Sequence, residues 1–158
     1  MKRIYILPIC ILFCLTSCQI TTKDISQNEM ASIIKIRTSD FENLLMSGKL
    51  EEHMDYYDDE ASLSPDGFPV IQRKENIKKF LSKGMKMAKF SKLDLKTDYV
   101  NGNREYIYQM GLMDSEIIVY DSLRFDNSSK FFYLWKLQDD GSYRIIAEVT
   151  STKDEYDD

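Results

Sequence analysis

Cysteine is missing from residue 19 onward. The three cysteines, Cys10, Cys14 and Cys18, all fall in the first eighteen positions. A domain built from the remainder has no disulfide, no catalytic thiol and no thiolate for a metal, so its stability rests on its core. Histidine is nearly missing too: His53 stands alone, and without a second imidazole or a thiolate a tight zinc site is not expected. Proline (three) and glycine (six) are scarce, which excludes collagen-like and low-complexity architectures. The longest apolar run, Ile4 to Leu15, is about half the roughly 20 residues a membrane-spanning helix needs. Positive charge is in deficit, with 21 basic against 26 acidic residues and a formal charge of −5. A net acidic chain is a poor candidate for nonspecific nucleic-acid binding, which rests on neutralising phosphates.

What is present begins at the N-terminus. Lys2 and Arg3 precede the apolar run, and small residues follow it. This is the charged, apolar, small-residue order of a secretory signal peptide. Leu15-Thr16-Ser17-Cys18 resembles a bacterial lipobox. The resemblance implies cleavage before Cys18 and acylation of its thiol, with palmitate among the lipids carried. Residues 1–17 then form the signal peptide and residues 18–28 a tether. A domain over residues 29–151 and an acidic tail over 152–158 complete the chain. Loss of Lys2 and Arg3 with the signal takes the formal charge to −7 on the remaining 141 residues, the length of one ordinary domain. The expected location is the cell envelope, lipid-anchored, with Gln19 after the cysteine favouring the outer membrane.

Periodicity organises the rest. Met30, Ile33, Ile34, Phe41, Leu44 and Leu45 share one face of a helix over about Asn28–Met46. Ser26 and Glu29 have capping-box spacing, and Gly48 supplies the left-handed stop. Leu50, Met54 and Tyr57 mark a second, short helix. A short strand over Ala61–Ser64 and the turn Ser64-Pro65-Asp66-Gly67 follow. A third helix covers about Lys74–Met87. From Lys92 the period becomes two. Leu93, Leu95, Thr97 and Tyr99 alternate with polar residues, and Asn101-Gly102 signals a hairpin. Tyr106, Tyr108, Met110 and Leu112 share a face of the next strand. The stretch from Met113 to Phe125 reads either as one long bent strand or as a strand and a loop. Phe131, Tyr133, Trp135 and Leu137 share a face of another strand, and Tyr143, Ile145, Ala147 and Val149 are expected inside on the last.

Helices first and long antiparallel strands after is an α+β order. The segments Tyr56–Gly67 with Lys74-Glu75-Asn76-Ile77, and Tyr133–Ile145, resemble the nuclear transport factor 2-like (SnoaL-like) superfamily. The chain has Arg73 where that family usually has a glycine before the third helix. The resemblance implies a curved antiparallel sheet wrapped against N-terminal helices, leaving a cone-shaped cavity. The cavity hosts isomerases, dehydratases and pure binding modules, so fold alone does not settle function.

The isomerase chemistry of this fold needs a carboxylate base, a tyrosine hydroxyl and a protonated carboxylic acid. Those positions fall here on Ser64, Phe41 and Tyr133, which leaves only one hydrogen-bond donor and no base. No catalytic residue and no cofactor is therefore expected. Phe41, Tyr57, Phe68, Tyr99, Tyr106, Tyr133 and Trp135 are the candidate pocket residues, with plain core packing as the competing use of the same side chains. His53, beside Glu51 and Glu52, reads as part of a solvated face. Asp58-Asp59-Glu60 lacks the spacing of a calcium loop. Arg73 to Lys96 holds nine basic residues against Glu75 and Asp94, either a solvated face balanced by the acidic Glu51–Asp66 region or a surface for anionic headgroups.

The function expected is a membrane protein held by its lipid anchor, whose domain binds a small apolar ligand or a partner protein without catalysis. The alternatives are an enzyme with an atypical site built on Tyr133 with Asp66 or His53, and a homodimerisation module whose sheet face, at Phe132 and Leu134, is covered by a second copy. Cys18→Ser tests the anchor. The variant is expected to leave the membrane fraction or to accumulate unprocessed, as read by fractionation and intact mass. A variant that stays lipidated and membrane-bound removes the lipobox reading.

Overall fold

A computed structural model of the chain describes residues 24–152. The expected signal peptide, the lipidation site at Cys18, most of the tether and nearly all of the acidic tail lie outside the described residues.

The first helix, α1, spans Gln27–Met46, and the Ser26 hydroxyl accepts from the Glu29 N–H at 3.3 Å. It buries Met30, Ile34, Thr38 and Phe41. Gly48, at φ +70°, turns the chain out of the helix, a conformation that costs a residue without a Cβ little. The short α2 spans Leu50–Met54. The strand β1 begins at Tyr57 and runs to Ser64, so Tyr57 belongs to the sheet and not to α2. A two-residue strand β2, Ile71–Gln72, precedes α3, Lys74–Met87. Four long strands follow: β3 Ala88–Gly102, β4 Tyr106–Val119, β5 Leu123–Leu137 and β6 Tyr143–Thr152. The ambiguous stretch after Met113 is a continuous strand into a tight turn at Tyr120–Ser122.

The six strands form one sheet in the order β2-β1-β6-β5-β4-β3. All neighbours are antiparallel except β1 and β6, which run parallel. The helices pack on one face, where Ile107, Phe131, Tyr133, Trp135 and Ile145 are buried. A fully buried amide, Gln109, ties that face together. Its Nε2 donates to Thr38 Oγ1 at 3.0 Å and Thr97 Oγ1 at 2.7 Å, and its Oε1 accepts from Trp135 Nε1 at 3.1 Å. One side chain thus links α1, β3, β4 and β5 with both ends of the amide satisfied, as a buried polar group requires.

The sheet bends at bulges. In β3 the register with β4 slips at Ser91 and at Asp98. In β6 the register with β5 slips between Ile145 and Ala147. Each slip inserts one unpaired residue and reverses which side chains face inward beyond it. Opposite the Asp98 slip sits Gly111, where a Cβ would lie 1.9 Å from the Lys96 carbonyl oxygen; the two backbones come together only because that position has no side chain. Two expected inner faces are therefore corrected. Tyr99 turns outward and Val100 takes its place, and Val149 turns outward while Glu148 points in.

The outer face carries Tyr99, Tyr108 and Phe132, with ring centroids 5.8 and 6.5 Å apart in succession. Tyr99, Met110 and Val149 on it are exposed.

Arg73 occupies the position before α3 at φ +74° and ψ 135°. Its N–H reaches the Ala61 carbonyl at 2.8 Å, so the strained backbone is held by β1. A non-glycine residue there costs on the order of 1–3 kcal/mol. Arg73→Gly is expected to raise stability by about 1 kcal/mol after the entropy lost to a freer unfolded chain, read as a higher urea midpoint at unchanged slope.

Candidate ligand cavity

Between α1, α3 and the inner face of the sheet lies a cavity of about 410 Å³, within the range of small-molecule pockets. Its walls are mostly aliphatic and aromatic: Leu45, Phe80, Leu81, Leu93, Leu95 and Met113 among them. The aromatic end is formed by Phe41, Tyr57 and Tyr133, with the Phe41 ring 6.0 Å from that of Tyr57 and 5.7 Å from that of Tyr133.

Of the seven candidate pocket residues, Phe41, Tyr57 and Tyr133 stand on the cavity wall. The other four are placed elsewhere. Trp135 is completely buried beneath the floor, bonded to Gln109 and edge-on to Tyr133 at 6.0 Å. Phe68 is 60% exposed and covers the wall residue Phe80 from outside, ring to ring at 5.3 Å. Tyr99 faces out because of the Asp98 bulge and borders a shallower groove between α1 and β3. Tyr106 opens β4 on the outer parity, opposite Lys136. Asp66 is exposed and accepts from the N–H and hydroxyl of Thr152, bonds that hold its carboxyl below the usual range. Ser64, half-buried at the end of β1, does not line the cavity, although its neighbours Leu63 and Pro65 do.

Two further polar residues stand on the cavity wall: Glu148, which carries no signal in the sequence, and His53, which enters the sequence reading as a site residue only through the enzyme alternative. His53 is not solvated: it is 1% exposed, its ring centroid 4.1 Å from that of Phe41 and 5.8 Å from that of Tyr57. Leu50, His53 and Met54 lie at i, i+3 and i+4 of α2, which turns His53 to the same side as the two apolar residues. Burial pushes the imidazole down to about 4, with a backbone hydrogen bond at Phe41 acting the other way. Its Nδ1 is buried without a hydrogen-bond partner.

Glu148 reaches the cavity through the β6 bulge. Tyr57 donates its hydroxyl to Glu148 Oε2, and that is the one side-chain hydrogen bond of this carboxyl among the described residues. Burial raises the carboxyl to about 7, and the bond from Tyr57 opposes the rise. Tyr57 and Tyr133 are both pushed well above their ordinary values, first by burial and then by the Glu148 charge. Phenolates are thereby excluded near neutrality, so both residues serve as hydroxyls. No group of three or more potential metal-ligating side chains exists among the described residues.

The basic stretch is distributed over α3, the residue before it and β3, and four of its nine members are in ion pairs among the described residues. Lys78 meets Glu51 at 2.6 Å, Arg73 meets Glu60 at 3.8 Å, Lys89 meets Asp121 at 2.6 Å and Lys96 meets Asp114 at 2.7 Å. All are exposed pairs, each worth at most about 1 kcal/mol.

The two buried titrating groups oppose each other. Glu148 binds a proton on folding between its unfolded value of 4.5 and about 7, so its contribution is full at low pH and lost as pH rises through 7. His53 releases a proton on folding between 6.5 and about 4, so its contribution is full at high pH and lost as pH falls through 4. Across the shared window the two slopes cancel, and the wild-type stability contributed by this pair is flat. Glu148→Gln is expected to uncover a loss of about 3 kcal/mol on acidification through that window, and His53→Gln a loss of similar size on raising the pH. Urea unfolding at half-unit pH steps reads both; parallel profiles in the two variants would remove the assignment.

No protein-family model and no curated protein matches the chain. Solved structures do. A ketosteroid isomerase-like protein from Erwinia carotovora atroseptica superposes with a TM-score of 0.72 at 12% identity, covering 80% of this chain and 98% of that one. A nuclear transport factor 2-like protein from Cytophaga hutchinsonii gives 0.67 at 14% identity, over 82% and 100%. A nuclear transport factor 2-like protein of unknown function in nutrient uptake from Rhodospirillum rubrum gives 0.66 at 18% identity, over 76% and 98%. Residues 24–152 therefore have the nuclear transport factor 2-like α+β fold, helices packed on a curved, open sheet.

Proposed function

We propose that this protein is a lipid-anchored envelope protein, attached through Cys18, that holds a small and mainly apolar molecule in the cavity without transforming it. The observation that carries the binding reading is the cavity itself: about 410 Å³ between α1, α3 and the sheet, with aliphatic walls and a few polar atoms gathered at one end. Phe41, at the family's tyrosine position, has no hydroxyl, and Ser64 has no carboxylate, so the isomerase constellation is incomplete.

A second reading is an enzyme in which Glu148 exchanges a proton with the bound molecule. Its support is a carboxyl held near 7 beside the hydroxyls of Tyr57 and Tyr133, since a general base works best near the ambient pH. A third is a homodimer through the outer sheet face, favoured by the Tyr99–Tyr108–Phe132 ladder.

Native mass spectrometry of the full chain purified from its own host's envelope separates the three. The expected result is a monomer carrying one reproducible extra mass that is lost on denaturation. Met113→Trp, which enlarges a wall residue into the cavity, is expected to reduce that occupancy at least tenfold while leaving the unfolding free energy from urea titration within about 1.5 kcal/mol of wild type. Conversion of the released molecule on incubation with fresh protein would favour the enzyme. An unliganded dimer would move the sheet-face reading to first place.

A further inference from the structure

The polar end of the cavity is chemically one-sided. Glu148 Oε2 accepts from Tyr57, and no donor among the described residues meets Oε1. His53 is neutral near pH 7 and so carries one ring lone pair. The ring's N–H side is met by the Phe41 backbone, while Nδ1 is buried without a partner among the described residues. Glu148 and His53 both stand on the cavity wall, and the Tyr133 and Thr150 hydroxyls beside them make no side-chain hydrogen bond among the described residues. A buried carboxyl also wants a cation. Lys89 is the one basic side chain on the wall, and its Nζ lies 2.6 Å from Asp121 Oδ1 at the exposed β4–β5 turn. Nothing basic comes from the other elements around Glu148. Tyr57 faces it from β1, Tyr133 from β5 and His53 from α2. The α1, α3 and β4 walls contribute Phe41, Phe80, Leu81, Met85, Met113 and Ile117, and Glu42 of α1 bears on Tyr133 with a further negative charge.

We propose that the molecule held in the cavity is an apolar amine, whose ammonium sits against Glu148 and His53 among the rings of Phe41, Tyr57 and Tyr133 while its hydrocarbon part lies along the aliphatic wall. The inference rests on the cavity reading above. An ammonium supplies what the site lacks: several N–H donors for two donor-poor acceptors, and one positive charge for an unpaired carboxyl. The aromatic faces add cation–π attraction, which strengthens when water is excluded. A neutral carbonyl or a carboxylate would meet the same acceptors with no donor at all, leaving the imidazole lone pair unpaired.

Three probes of one skeleton test it on the full-length protein: 4-phenylbutylamine, 4-phenylbutan-1-ol and 4-phenylbutyric acid, titrated by calorimetry. At pH 8 the amine is expected to bind at least tenfold tighter than the alcohol, and the acid weakest. From pH 8 to pH 5.5 the amine stays protonated while the Glu148 carboxylate is neutralised, so its affinity falls about thirtyfold; the alcohol's stays constant. Glu148→Gln brings the amine to the level of the alcohol and loses the pH dependence, and unchanged alcohol binding by that variant shows that its cavity is intact. Tyr57→Phe, which removes a neighbour but keeps the charge, retains the preference for the amine. An alcohol that binds as tightly as the amine at pH 8, or an amine preference that survives Glu148→Gln, overturns the proposal and leaves the cavity reading standing. Failure of all three probes to bind overturns both.

Discussion

Between Ile145 and Ala147, β6 holds one residue more than β5 presents opposite it. That extra residue, Ile146, decides the chemistry of the cavity. With an unbroken register Ala147 and Val149 would face the helices, and the pocket end would be wholly apolar. With the bulge, Glu148 and Thr150 face in, across from Tyr133 and Phe131. The parallel pairing of β1 with β6 slips over the same stretch, between Tyr57 and Ser62. Both irregularities fall at Ile146, between the strand carrying the tyrosine and the strand carrying the carboxylate, and the Tyr57–Glu148 hydrogen bond closes across them. The slip that bends the sheet also creates the polar end of the site.

Two clusters of buried polar side chains lie on the helix-facing side of the sheet. Around Gln109 every strong donor and acceptor has a partner, and the partners come from α1, β3, β4 and β5. A fully satisfied network of this kind specifies how elements sit against one another. Around Glu148 and His53 the accounting is incomplete. An unpaired buried acceptor costs about 1–3 kcal/mol; His53 Nδ1 is one, and it lies on the same cavity wall as a carboxyl with one oxygen that no described side chain meets. A structural role accounts for the first group and for Glu148 Oε2, the partner of the buried Tyr57 hydroxyl, but not for the unpaired Nδ1 of His53.

Much of the scaffold was legible in the sequence, because elements with strong periodicity and clear end signals declare themselves. The run Lys74–Met87 is a helix with those ends, Gly48 stops α1 at positive φ, and Phe131, Tyr133 and Trp135 share the buried face of β5. The Arg73 departure from the family's glycine is physically meaningful, since the backbone there adopts the conformation a glycine would favour. The site was less legible. Alternation placed Tyr99 and Val149 inside, and only the bulges at Asp98 and Ile146 reverse them. A bulge follows from how a long sheet bends around its helices, which no local pattern encodes. His53 was hidden differently. Glu51 and Glu52 before it are acidic and exposed, but Leu50 one helical turn back and Met54 next in the chain lie on its own side, so the acidic pair misled where the helical face would not.

The pairing of shifted groups bears on why such a site persists. Folding moves one proton onto Glu148 and takes one from His53 over nearly the same pH range. Had the cavity contained either group alone, domain stability would have depended steeply on pH in the mildly acidic range. Together they keep the net charge of the buried cluster unchanged on folding across that range. The neutral pair is also the reactive one: a neutral imidazole offers a lone pair, and a carboxyl near its midpoint changes charge in response to whatever enters. A cation brought beside it favours the carboxylate, and water or a neutral guest favours the acid. The cavity is thus buffered against the solvent's pH through its stability while remaining responsive to the charge of its contents, and both properties trace to side chains that Ile146 and the apolar side of α2 turn inward.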